Sequence, residues 1–230
     1  MQYPMRPSMQ GNAHQRGLSL VELMVGITVG LFVVAAATAL VTSQLTENRR
    51  LLLETQLQQD LRASADIITR ELRRSGSWAA ANETLWYPGS AADPSMNPFS
   101  SITVAGDQVD FSYQRSAGNE GPYGFRLSSS GVIQTRLAGA GWQDLTDGNV
   151  MDVSGLDIVL TATQSERIPC PRVCDDDGST ACWPQAEART LQLTISARSR
   201  TDPTVTRDLT TAVRLRNDRL ISNNGASLCP

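Results

Sequence analysis

Along its first third the chain reads as one long helix with two kinds of surface. From Leu23 to Thr46 no position is charged, and Leu23-Met24-Val25-Gly26-Ile27-Thr28-Val29-Gly30-Leu31-Phe32-Val33-Val34 is apolar on every side. At the helical rise this uncharged run covers roughly 36 Å, enough to cross a hydrocarbon core of about 30 Å. Beyond Thr46 the pattern changes without stopping. Leu53, Leu57, Leu61, Ala65, Ile68 and Leu72 recur every three or four residues, which marks a single apolar face. Arg50–Glu54, Arg62–Asp66 and Asp66–Arg70 stand at i,i+4 spacing on the polar side, and Arg73 and Arg74 suit the last turn of a helix dipole. Gly76 reads as the C-cap glycine. The pattern predicts one helix from about Leu18 to Ser75, its first half in lipid and its second half packed by one face on a globular domain.

After Gly76 the period shortens to two. Ser77 to Ser100 is rich in Ala, Asn, Pro, Ser and Gly and reads as an irregular connection. Ile102–Ala105 and Val109–Tyr113 flank Gly106-Asp107, and Tyr123–Leu127 and Val132–Leu137 flank Ser129-Ser130-Gly131, so each pair predicts a hairpin. Leu156–Ala162 and Leu191–Ala197 alternate well, and Val205–Leu215 follows the turn Thr201-Asp202-Pro203-Thr204. The expectation is an α+β fold in which one mainly antiparallel sheet packs on the second half of the helix. The boundaries expected are 1–17 for a leader, 18–46 for a membrane-spanning part, 47–76 for an amphipathic part and 77–230 for a β-rich domain.

The start of the chain changes how the apolar run is read. Met1 to Gly17 carries Arg6 and Arg16 and no acid, and basic residues before a first span favour a cytoplasmic N-terminus. A secretory signal would place its small-residue cleavage site after the apolar stretch. Here the small residue, Gly17, comes before it, so cutting there leaves the hydrophobic segment on the mature chain. Glu22 then lies at the mouth of the span, where an unpaired carboxylate is costly. Cleavage at Gly17 would create an amine at Leu18, about one helical turn away. In a staggered bundle, the amine of one subunit can meet Glu22 of another and reward correct register. A Glu snorkelling at the head of a plain anchor is the other reading. Gly26 and Gly30 form a G-x-x-x-G pair that permits close helix approach. No Pro stands between Pro7 and Pro88 to break the helix.

Gly17, Leu18 and Glu22, as leader glycine, first mature residue and fifth mature residue ahead of a span, resemble the N-terminus of type IV pilin-like proteins. The resemblance implies cleavage after Gly17 by a prepilin peptidase and N-methylation at Leu18, although Phe is the usual first mature residue. The element order and the stretch Thr211–Asn217 are similar to PilW-type minor pilins and J-type pseudopilins. The tip pseudopilin usually lacks the acid, which argues against that subunit. The resemblance implies a minor pilin in the bacterial inner membrane, its domain periplasmic, that primes or caps a type IV pilus. Its expected partners are other minor and major pilins, the prepilin peptidase, the inner-membrane pilus assembly machinery and membrane lipid. A J-type minor pseudopilin of a type II secretion system is the alternative in the same class. A signal-anchored periplasmic adhesin or binding module is the alternative from another class.

Composition narrows the chemistry. The cysteines are Cys170, Cys174, Cys182 and Cys229, an even count that suggests two disulfides in an oxidising compartment. The pattern preferred here closes Cys170 to Cys182 and ties down Cys229. Zinc ligation by the four thiolates is the other reading. Asp175-Asp176-Asp177-Gly178 reads as a solvated acidic turn or a Ca²⁺ site, although its spacing is not that of an EF-hand. His14, the one histidine, lies in the leader, and no hydrolase, phosphate-loop or zinc-protease motif occurs. These features point away from an enzyme, and no cofactor is expected. Losing Arg6 and Arg16 would take the formal net charge from -3 to -5, so nucleic acid is not indicated as a partner. The arginines Arg198, Arg200, Arg207, Arg214, Arg216 and Arg219 are expected to decorate the solvent face of strands.

Overall fold

The computed structural model describes residues 17, 19–84, 96–116, 118–170, 173–174 and 178–221. They fall into two compact units, divided between Arg49 and Arg50. A single helix, α1 (Leu20–Leu72), has residues in both.

In the N-terminal unit the described residues of α1 are exposed, including Leu23, Val29, Leu31 and Phe32, the last at 78%. The threonines in this stretch are satisfied inside the helix. Thr28, Thr38, Thr42 and Thr46 donate to the carbonyls of Val25, Val34, Thr38 and Thr42 at 2.7–3.0 Å. A hydroxyl bonded to its own helix makes no demand on water, which suits a surface covered by hydrocarbon. This helix is long and apolar enough to cross a membrane.

In the second unit, Leu57, Leu61, Ala65, Ile68 and Leu72 of α1 are buried and Leu53 is half-buried, the stripe that the 3.6-residue period predicts. The strands are β1 (Ile102–Ala105), β2 (Gln108–Phe111), β3 (Tyr123–Leu127), β4 (Ile133–Arg136), β5 (Trp142–Asp144), β6 (Met151–Arg167), β7 (Gln185–Ser199), β8 (Thr206–Arg214) and β9 (Arg219–Ile221). All pair antiparallel. They form two sheets rather than the single one expected: β1-β2-β3-β4-β5, and β6-β7-β8 with β9 also on β7. The break has a local cause. Leu145 and Thr146 both donate to the carbonyl of Ile133, the first residue of β4, where the chain leaves β5. An Asp147–Asn149 turn then reverses it. The N–H of Val153 donates to Gly131 at 2.8 Å and links the sheets at that point.

One core joins the inward residues of both sheets to the helix stripe. Val109, Phe111, Phe125 and Ile133 come from the first sheet, and Val153, Ile158, Leu191, Leu193, Ile195 and Val213 from the second. Tyr113 and Tyr123 stack at 4.1 Å within it. On the opposite face of the first sheet, Trp142 lies beside Gly124, where a Cβ would stand 3.2 Å from the ring, and Arg126 and Arg136 sit over the indole at 4.4 and 5.0 Å.

The helix end is tied down by side chains from far along the chain. Gly76 adopts φ +75°, the left-handed conformation a helix C-cap favours. Its N–H donates to Ser112, Asn97 Nδ2 donates to its carbonyl, and Asn217 Nδ2 donates to the carbonyl of Ser75. These bonds satisfy groups that a helix end leaves open. Of the three i,i+4 pairs expected, Arg50–Glu54 forms, at 3.1 Å, whereas Arg62–Asp66 and Asp66–Arg70 are not among the ion pairs of the described residues. Glu54 also holds Arg207 of β8.

Tyr113 fastens the last turn of α1 to the sheet. Its hydroxyl donates to Glu71 at 2.7 Å, and Arg74 pairs with the same carboxylate at 2.9 Å. Burial first, and then the bond to Glu71, pushes the Tyr113 hydroxyl up to about 12. An unfolded tyrosine ionises near pH 10. The fold therefore holds the neutral phenol, and the stabilisation is complete below about pH 10 and lost as pH climbs through about 12. Tyr113→Phe should flatten the loss of stability across that window, as measured by urea unfolding at stepped alkaline pH.

Candidate functional site

Of the residues singled out around the leader junction, Glu22 sits in the first turn of α1. Gly17 is exposed and outside the helix, and a Cβ added there would meet no atom within 4 Å. Among the described residues no packing contact requires glycine at that position. Leu18 and residues 1–16 of the leader, His14 included, lie outside the described residues. The carbonyl of Ser19 accepts the N–H of Leu23 at 3.1 Å, which puts Ser19 at the N-cap. Ser19 is missing from the sequence reading above, yet Ser19-x-x-Glu22 has the spacing of a capping box and could have located the helix start.

Glu22 stands in the first turn, where the helix dipole favours an anion. That dipole effect gives the acid a local use in any helix. No described residue forms an ion pair with it. Gly26 and Gly30 likewise have open space where a Cβ would stand. Glycine inside a helix costs about 1 kcal/mol relative to alanine. Within one chain nothing offsets that cost, and the open surface around both glycines is what a neighbouring helix would need.

The cysteines depart from the pairing expected. The local disulfide joins Cys174, not Cys170, to Cys182. The reason is the turn between them. Gly178 adopts φ +69°, Cys174 donates to the carbonyl of Ser179 at 2.8 Å, and the two Cα atoms come to 5.6 Å. Cys170 is disulfide-bonded as well, and Cys229 lies outside the described residues. A Cys174–Cys182 bond removes two of the four thiolates that the zinc reading needs. Asp175, Asp176 and Asp177 lie outside the described residues. Among the described residues no cluster of three or more His, Cys, Asp or Glu side chains is placed to hold a metal ion.

Two family models match this chain. The prokaryotic N-terminal methylation motif matches residues 12–38, which takes in Gly17, Leu18 and Glu22. The model described as prepilin peptidase-dependent protein B matches residues 50–215, more than two thirds of the chain. The chain belongs to the prepilin peptidase-dependent protein B family. The second match runs from the amphipathic part of α1 through β8 and one residue beyond, so it rests on the folded unit independently of the leader motif. This is a type IV pilin-like protein with an α+β fold, and both families are structural pilin-type families. The leader motif and the one long apolar helix fit a membrane-anchored pilin. No curated protein and no solved structure matches the chain.

Proposed function

We propose that this protein is a minor pilin, a non-catalytic subunit that primes or caps a type IV pilus. The observation that carries the reading is a first-turn carboxylate, Glu22, five residues after Gly17, with no ion-pair partner among the described residues and on a helix stretch whose apolar side chains are exposed. In the proposed sequence of events, the leader is cut between Gly17 and Leu18 on the cytoplasmic side and the new amine is methylated. The segment 18–46 holds the chain in the inner membrane until assembly. The amine of Leu18 in one subunit then meets Glu22 in another, and Gly26 and Gly30 let the helices approach closely.

Orientation follows from charge and redox chemistry. Arg6 and Arg16 favour a cytoplasmic leader, and a Cys174–Cys182 disulfide belongs in an oxidising compartment such as the periplasm. The partners of this reading are the prepilin peptidase, minor and major pilins, the assembly machinery and lipid. Crosslinking in intact cells followed by purification of the tagged full chain tests it. Major and minor pilins should dominate the captured proteins, and deletion of the gene should abolish piliation. Capture of secretion-system pseudopilins with piliation intact would reject the pilus role.

A further inference from the structure

We propose that the free edge at the C-terminal end of β8, together with Leu215 and Arg216 just beyond it, is a docking site for an extended acidic segment of a neighbouring pilin-type subunit, which adds there as a strand. The proposal rests on the assembly reading above and goes beyond it by naming the surface and the chemistry of the partner.

The first observation is the edge. β8 pairs with β7 through Thr190↔Arg214 to Arg198↔Thr206 and ends the strand order of its sheet. Among the described residues no strand pairs with its other side. An unpaired edge presents a row of N–H and C=O groups spaced for another strand.

The second observation is a cavity of ≈ 540 Å³ at this edge, lined by Arg73, Ala212, Arg214, Leu215 and Arg216. Arg73 comes from just beyond the end of α1, so the cavity has one wall on the helix side and one on the strand. Three arginines line it and no carboxylate does. Arg73, Arg214 and Arg216 have no carboxylate partner among the described residues. Neighbouring unpaired cations repel one another, and an anionic occupant relieves that.

Shape and charge together select the occupant. Ala212, Arg214 and Arg216 alternate with buried Val213 and Leu215, so both cations fall on one face at the two-residue period of a strand. Acidic side chains at the same period on an added strand would lie opposite them. A phosphate or a polynucleotide would meet the cations and leave the backbone edge unused. A second copy of this chain would bring the same arginines to the edge and be repelled. An acidic strand satisfies the edge and the charge at once.

The test is photocrosslinking of the full chain in its own cells, with p-benzoylphenylalanine in place of Ala212 and, in a parallel strain, in place of Val33 in the apolar helix. The Ala212 probe should yield an adduct with an acidic segment of a pilin-type subunit, identified by mass spectrometry. Arg214→Glu with Arg216→Glu should lower that yield by roughly tenfold or more, and Arg73→Glu alone should lower it too. All three arginines are exposed, and retention of the Cys174–Cys182 bond checks that the variants fold. Changing the acids of the adduct to arginine should restore the yield with the reversed variant. Adducts at Val33 with none at Ala212, or adducts insensitive to charge reversal, or adducts with lipid or nucleic acid at Ala212, would overturn the docking edge and leave the assembly reading standing. No pilin adduct at either position would overturn both.

Discussion

Glu22→Ala should leave removal of the leader intact and lower the amount of this protein in sheared filaments by tenfold or more. The reasoning starts from the cost of charge in lipid. In the membrane the Glu22 carboxylate has the helix dipole and no ion-pair partner among the described residues. In the proposed filament the methylated amine of a neighbour supplies that partner. Removing the acid leaves the amine buried and uncompensated, and breaking one side of a buried pair costs about 3–5 kcal/mol. Solvent near the helix head and the other helix contacts reduce the cost, so a tenfold loss is the lower bound expected. Glu22→Gln separates charge from shape. It should resemble alanine if the pair is ionic and resemble the wild type if Glu22 serves only as a helix-start residue. Immunoblots of sheared filaments against the cell fraction, with crosslinks to other pilins, give the measurement. Unchanged incorporation of Glu22→Ala would remove the carboxylate from the mechanism.

Gly17→Val should abolish processing while leaving the folded unit as stable as the wild type. A Cβ at position 17 meets no atom of the described residues within 4 Å, so the fold provides no reason for a defect. A peptidase pocket that closes on glycine provides one. The expected result is a chain that keeps its leader on a gel, shows unchanged thermal unfolding in detergent and is missing from filaments. Loss of incorporation follows because the amine that Glu22 is proposed to need is never made. Efficient cleavage of Gly17→Val would dissociate glycine from the processing step.

The parts of the fold that were legible in the sequence are those where burial imposes a period. Leu57, Leu61, Ala65, Ile68 and Leu72 repeat at helical spacing because one face meets the core, and they are buried as expected. Ile102–Ala105 and Tyr123–Leu127 lie exactly where alternation and turn residues placed them. The arms of β6 and β7 were underread for the opposite reason. Thr163–Arg167 are exposed, so no apolar alternation marks them, and the ladder to Gln185–Arg189 holds them instead. β5 is too short to show a pattern, and Trp142 is placed by Gly124 and two arginines that are distant in sequence. The division into two sheets depends on a pair of bonds to one carbonyl, that of Ile133, which no local period reports.

Legibility at the functional end was uneven for similar reasons. Gly17, Leu18 and Glu22 stand close together in the sequence, so the junction could be read directly. The β8 edge could not, because Arg73 is brought near Arg214 and Arg216 by packing of the helix end, and only the open strand beside them gives the cluster a use. The disulfide is not legible, because spacing does not reveal which of Cys170 and Cys174 faces Cys182 across the Gly178 turn.

The intact mass of the native protein, taken separately from inner membrane and from sheared filaments, probes the pairing of Glu22 with a newly made amine most directly. In both fractions the chain should begin at Leu18 and carry one added methyl group. A chain that begins at Met1 in cells with an active prepilin peptidase, and that never occurs in the filament fraction, would contradict it.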